Sequence, residues 1–79
     1  MTNNEKYIAA FVEAFGITEE GLESLEYQAI TEWDSVGHMT LIAILEDNFD
    51  IMMDTDDIID FSSFAKGKEI LKEKYNVEL

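Results

Sequence analysis

The sequence predicts an all-α fold, a small four-helix bundle made of three main helices plus one short helix, with a long first loop. Apolar residues recur at helical spacing in three segments, and each segment follows a Thr, Ser or Asp that can cap a helix. No segment shows the alternation of apolar and polar residues that is typical of a strand. With 79 residues, the chain is expected to form one domain, residues 1–79.

The first helix is predicted over about residues 4–15. Thr2 and Glu5 have the spacing of a capping box, and Gly16 stands where a left-handed residue would end the helix. The predicted inner stripe consists of four apolar residues at i, i+3, i+4 and i+7: Ile8, Phe11, Val12 and Phe15.

The middle of the chain predicts a long loop followed by a central helix. Residues 16–34 mix apolar and acidic residues without a sustained period, which indicates a loop with a short helical turn near 19–24. Asp34 or Ser35 then caps a second helix that runs to about Asn48. Its apolar residues cover more of the helix circumference than a single stripe, so packing neighbours are expected on several sides.

Two further helices are predicted in the last third. Residues 50–61 contain a cap signal and a short apolar group, which predicts a helix of one or two turns. Ser62 or Ser63 caps a last helix over about 63–75, which carries four of the five lysines. Its inner side is expected to comprise Phe64, Gly67, Ile70, Leu71 and Tyr75.

The charge is strongly acidic and unevenly distributed. The net charge is −13, and residues 1–65 hold fifteen of the eighteen acidic residues but only one lysine. This balance argues against nucleic-acid binding and favours partners with a basic face. No segment is apolar enough to span a bilayer and no signal-peptide pattern opens the chain, so no membrane association and a cytoplasmic location are expected.

The residues offer almost no chemistry of their own. Without cysteine and with one histidine, neither a thiol nucleophile nor a zinc site is available, and no other metal site is expected. A loop starting at Asp54 resembles a calcium loop, but Ile59 and Ala65 occupy its required glycine and glutamate positions. Ser35 and His38 could share a helix face, but a bundle this small is expected to lack the pocket and oxyanion hole of a hydrolase. His38 is therefore expected at the surface or rim, and the chain is not expected to be an enzyme.

Residues 34–39 (DSVGHM) resemble the Asp-Ser-Leu/Val-x-x-Met/Val segment of acyl carrier proteins. Residues 41–51 (LIAILEDNFDI) are similar to the second helix of that family and the Phe-x-Ile stretch that follows it. The short acidic third helix, the total length and the low isoelectric point also fit. The resemblance is strongest over 32–51 and implies a discrete, type II phosphopantetheine-binding carrier with the family's four-helix bundle.

The resemblance implies that a phosphopantetheinyl transferase (holo-acyl carrier protein synthase) attaches 4′-phosphopantetheine covalently to Ser35, with Asp34 beside it. The thiol of this cofactor would supply the nucleophile that a cysteine-free chain lacks. The carrier, expected to be a monomer, would present acyl thioesters to loading and transferring enzymes with basic docking patches. The pathways implied are fatty-acid-like, polysaccharide-modification or secondary-metabolite biosynthesis.

The second helix would be the docking helix of such a carrier. The implied partner-binding residues are Asp34, Val36, Met39, Glu46 and Asp47. For Met39 a place in the core is favoured over a partner contact, and for Glu46 and Asp47 a merely solvated face is an equal alternative. The candidate walls of an acyl cavity are Ile42, Leu45, Ile59, Phe61 and Leu71, although in the form without the cofactor a plain core position is the safer interpretation for each.

The sequence departs from the acyl carrier pattern at two positions, and two alternatives to an acyl carrier stay open. Fatty-acid-type carriers often have acidic residues where this chain has Gly37 and Thr40, and this difference favours a dedicated pathway over general fatty acid synthesis. Gly37 also weakens the helix by about 1 kcal/mol relative to alanine and suggests local mobility beside Ser35. The alternatives are a peptidyl or aminoacyl carrier, and an acidic helical interaction module without a prosthetic group.

Overall fold

The computed structural model describes residues 1–79 and contains four α-helices, one turn of 3₁₀-helix and no β-strand. The helices are α1 (Asn3–Phe15), α2 (Ser35–Phe49), α3 (Thr55–Asp60) and α4 (Phe64–Lys74), and the 3₁₀ turn spans Leu22–Ser24. The predicted all-α, four-helix bundle with a short third helix and a long first loop is confirmed.

Side chains placed just before the helices determine where α1 and α4 begin. The Thr2 hydroxyl accepts a hydrogen bond from the Glu5 amide at 3.1 Å, and the Glu5 carboxylate accepts one from the Thr2 amide at 2.9 Å. This reciprocal capping box satisfies amides that have no partner inside the helix. Ser63, and not Ser62, caps α4, because its hydroxyl accepts from the Lys66 amide at 2.9 Å.

The buried face of α1 differs from the predicted stripe. Ile8 and Val12 are only half-buried, and the fully buried positions are Tyr7, Ala10, Phe11 and Phe15. The buried face of α1 includes Tyr7 because the Tyr7 hydroxyl donates to the carbonyl of Phe64 at 2.6 Å. Burial raises the pKa of Tyr7, so this hydroxyl keeps its proton.

The long first loop is fastened to the connection between α3 and α4. The Tyr27 amide donates to the carbonyl of Ser62, and the Phe64 amide donates to the carbonyl of Leu25, each at 2.9 Å. Beneath these bonds an aromatic cluster fills the core, and its members are Tyr7, Phe11, Phe15, Trp33, Phe61 and Phe64. The loop is therefore part of the packed structure and holds Tyr27 beside the start of α4.

The short helix α3 is held to the end of α4 by one buried carboxylate. Asp57 accepts from the Lys74 ammonium at 2.7 Å and from the Tyr75 hydroxyl at 2.6 Å. The Tyr75 hydroxyl also accepts from the Asp54 amide at 2.9 Å, at the start of α3. The two donated hydrogen bonds, from Lys74 first and Tyr75 second, hold the pKa of Asp57 below its ordinary value.

We expect the Asp57→Asn variant to be less stable than the parent chain at pH 7, and the difference to shrink in acid. A carboxyl group with a lowered pKa in the folded state stabilises the fold above its unfolded pKa, and that contribution is lost as the pH falls through the folded value. Urea midpoints measured from pH 7 downward check this, with the exposed Asp60→Asn change on the same helix as the control. Parallel curves for the parent chain and Asp57→Asn would contradict the assignment.

Candidate functional site

Ser35 is the first residue of α2, and its side chain is exposed. The sequence left open whether Asp34 or Ser35 caps this helix. Asp34 is the cap, because its Oδ1 accepts from the Gly37 amide at 2.8 Å. The exposed Ser35 hydroxyl makes no hydrogen bond within the chain and is therefore accessible to another molecule.

Gly37 allows the loop before α2 to lie directly against the helix. A Cβ atom built at Gly37 would lie 2.0 Å from the carbonyl oxygen of Glu32 and 3.3 Å from the ring of Phe15. The reason for a glycine here is thus close packing next to Ser35.

We expect Gly37→Ala to destabilise the protein by about 1–3 kcal/mol, because an added methyl group must displace the backbone of the loop. This sign is opposite to the gain of about 1 kcal/mol that helix propensity alone would give. Urea denaturation checks the prediction. The control is Ala43→Gly at an exposed position of the same helix, which should lose only the propensity term. A more stable Gly37→Ala protein would contradict the close approach of Glu32.

A cavity of about 350 Å³ opens beside Ser35, between the start of α2 and α3. Its lining residues are Tyr27, Ser35, His38, Met39, Ile58, Ile59, Phe61 and Ser62. Met39 and Ile59 lie at its mouth with 53% and 72% of their surface exposed, whereas Phe61 is fully buried and forms its floor. A free hydroxyl and a mostly apolar cavity therefore share one opening.

Only part of the predicted cavity wall is correct. Ile59 and Phe61 line the cavity as expected, but Ile42, Leu45 and Leu71 are fully buried core residues that do not reach it. Tyr27, Ile58 and Ser62 also line the cavity and were not among the predicted wall residues. Tyr27 comes from the first loop, and nothing in its own segment predicts the backbone bonds that bring it to Ser62.

His38 connects three segments around the cavity and is not a simple surface or rim residue. It is half-buried, its Nδ1 accepts from the Trp33 indole N–H at 2.9 Å, and its Nε2 lies 2.7 Å from the carbonyl oxygen of Ile58. Because Nδ1 is an acceptor here, Nε2 carries the proton and donates it to that carbonyl. Both ring nitrogens of His38 thus bond other residues and neither bonds Ser35, which argues against a Ser-His hydrolase even though a cavity is present.

The expected docking residues at and along α2 differ in exposure. Val36 is 75% exposed, and Met39 is also exposed, which corrects the preference for a core position. Glu46 is half-buried and its carboxylate accepts from the Met53 amide at 2.9 Å, so it holds the chain after α2 in place. Asp34 and Asp47 are exposed at opposite ends of the helix. After Ser35, α2 thus exposes the apolar side chains of Val36 and Met39, with the acidic Asp34 directly before the serine and Asp47 at the far end of the helix.

The chain contains no group of three or more His, Cys, Asp or Glu side chains arranged to hold a metal ion. None of its helices combines the length and the apolar character needed to cross a membrane.

Residues around Ser35 fit a phosphate ester. The amides at the beginning of α2 and the positive end of the helix dipole favour a phosphate group on the first residue of the helix. The cavity next to the hydroxyl offers apolar surface to whatever lies beyond that phosphate.

Comparison of the chain with protein-family models, with curated proteins and with solved structures found no match.

Proposed function

We propose that this protein is a discrete acyl carrier that bears 4′-phosphopantetheine on Ser35. The observation that carries the proposal is the position of the unbonded Ser35 hydroxyl at the mouth of an apolar cavity. Asp34 provides the cap of α2, so Ser35 can be esterified without loss of a structural hydrogen bond. The resemblance of residues 34–39 to the attachment segment of acyl carrier proteins supports the same assignment.

The protein's own part in this function is to present the group and to shelter its cargo. The bound cofactor supplies a thiol, which carries acyl groups as thioesters. Met39 and Ile59 offer apolar surface at the mouth of the cavity, and Phe61 closes it. Partial burial of an acyl chain there would be favourable by about 0.8 kcal/mol for each methylene removed from water.

The charge of the surface supports enzymes with basic docking patches as partners. A phosphopantetheinyl transferase and acyl-loading enzymes would approach the end of α2 that carries Ser35. Val36 and Met39 would supply apolar contacts there, and Asp34 and Asp47 would supply charge at the two ends of the helix. Because Glu46 bonds the Met53 amide, we expect it to contribute less than Asp47 to docking.

The proposal is tested by the intact mass of the folded protein after incubation with coenzyme A and a phosphopantetheinyl transferase of broad specificity. We expect the parent chain to gain the mass of one phosphopantetheinyl group. The Ser35→Ala variant should gain nothing, and the Ser62→Ala variant, altered at another exposed serine that lines the cavity, should gain as much as the parent. No gain on the folded parent chain with several transferases would overturn the proposal and favour the acidic interaction module.

A peptidyl or aminoacyl carrier would show the same gain in mass. The apolar cavity predicts a difference between the two kinds of carrier, because burying a group with a charged amine against apolar walls is much less favourable than burying an acyl chain. We therefore expect fatty acyl groups on the modified protein to raise its melting temperature more than aminoacyl groups of the same length.

A further inference from the structure

The floor of the cavity is in direct contact with a glycine of α4. A Cβ atom built at Gly67 would lie 2.1, 2.4 and 2.5 Å from three carbons at the tip of the Phe61 ring. Gly67 is buried, and its backbone is helical without a left-handed angle, so its conformation does not require glycine. Glycine is required at this position because the ring of Phe61 occupies the space that a Cβ atom would fill.

The ring of Phe61 has other neighbours on its remaining sides. The centroids of the Phe11 and Tyr7 rings lie 6.2 and 6.5 Å from its centroid, within the packed aromatic core. The His38 ring lies at 6.0 Å and is fixed by its bonds to Trp33 and Ile58. Since protein cores are close-packed, the open cavity is the direction in which a displaced Phe61 ring can move.

We infer that the contact between Gly67 and Phe61 sets the depth of the cavity and thereby the longest acyl group it covers. This inference rests on the proposed function for its biological meaning. The favoured cargo is therefore an acyl chain that ends at the Phe61 ring, and Gly67 is a specificity-determining position although it does not line the cavity.

The cavity depth can be measured on the unmodified protein with straight-chain alkanols of increasing length, followed by NMR titration. Each further methylene that enters the cavity should tighten the Kd about fourfold, which corresponds to about 0.8 kcal/mol, until the cavity is full. We call the alkanol length at which this gain stops the limiting length. We expect it to be shorter in Gly67→Ala and longer in Phe61→Leu than in the parent chain. In the Gly67→Ala/Phe61→Leu double variant, which lacks the ring tip, it should be longer than in Gly67→Ala alone.

A matched control is Ala65→Gly, which changes helix propensity at an exposed position of α4 and should leave the limiting length unchanged. A folded Gly67→Ala protein with the limiting length of the parent would overturn the inference. If Gly67→Ala does not fold, an unchanged limiting length in Phe61→Leu would overturn it. The alkanol titration does not depend on Ser35, so its outcome is separate from the mass measurement that tests the carrier function.

Discussion

The Ser35→Ala variant is expected to lose all phosphopantetheine attachment while its free energy of unfolding stays within about 0.5 kcal/mol of the parent value. The reason is that the Ser35 hydroxyl is exposed and makes no hydrogen bond within the chain, whereas Asp34 carries the capping interaction. The Asp34→Ala variant should lose about 1 kcal/mol of stability, because the Gly37 amide then loses its acceptor. Intact mass and urea denaturation of both variants measure the two effects separately.

The Asp34→Asn variant provides a control for the charge of Asp34. Asparagine caps helices about as well as aspartate, so the stability of this variant should stay close to that of the parent. A loss of about 1 kcal/mol in Ser35→Ala together with no loss in Asp34→Ala would contradict the assignment of the cap. Attachment that persists in Ser35→Ala would contradict the assignment of the site.

The Trp33→Ala variant is expected to lose about 3–5 kcal/mol of stability. The Trp33 side chain is fully buried, and its ring stacks on Phe15 and meets the edge of Phe11, with centroid distances of 5.3 and 5.5 Å. Its indole N–H also donates to His38, so the change removes a donor from beside the cavity. Because a chain of this size has roughly 3–5 kcal/mol of net stability, the variant should be largely unfolded at 25 °C.

The Trp33→Phe variant separates packing from hydrogen bonding. It keeps an aromatic ring in the core and leaves His38 Nδ1 without its donor, so we expect a smaller loss of about 1–3 kcal/mol. Circular dichroism and thermal unfolding of both variants check these values. A Trp33→Ala protein as stable as the parent would contradict the central place of Trp33 in the core.

Local signals in the sequence were sufficient to predict the helices. Thr2 and Glu5 predicted the start of α1, and Asp34 and Ser63 stood among the candidate caps of α2 and α4, because capping depends on residues no more than a few positions apart. The face that a helix buries was harder to predict. Tyr7 turned α1 because its hydroxyl bonds a carbonyl 57 residues away, and a helical period carries no information on such a bond.

The candidate site was predictable at Ser35 but not in its surroundings. The motif in residues 34–39 pointed to the serine, whereas the cavity depends on residues that are distant in the sequence. His38 bonds the carbonyl of Ile58, 20 residues away, and Gly67 matters only because of where the ring of Phe61 lies. Met39 was placed in the core because apolar side chains usually lie there, but the cavity mouth leaves it exposed.

The most direct test of the central claim is whether the group carried on Ser35 enters the cavity beside it. The measurement is an isotope-edited nuclear Overhauser experiment on the modified protein loaded with a ¹³C-labelled octanoyl group. We expect contacts from the acyl chain to Ile59 and to the buried ring of Phe61, with contacts to Met39 near the thioester end. Contacts confined to the exposed side chains of Val36 and Thr40, or no contacts with the protein, would contradict the account that Ser35 and the cavity form one site.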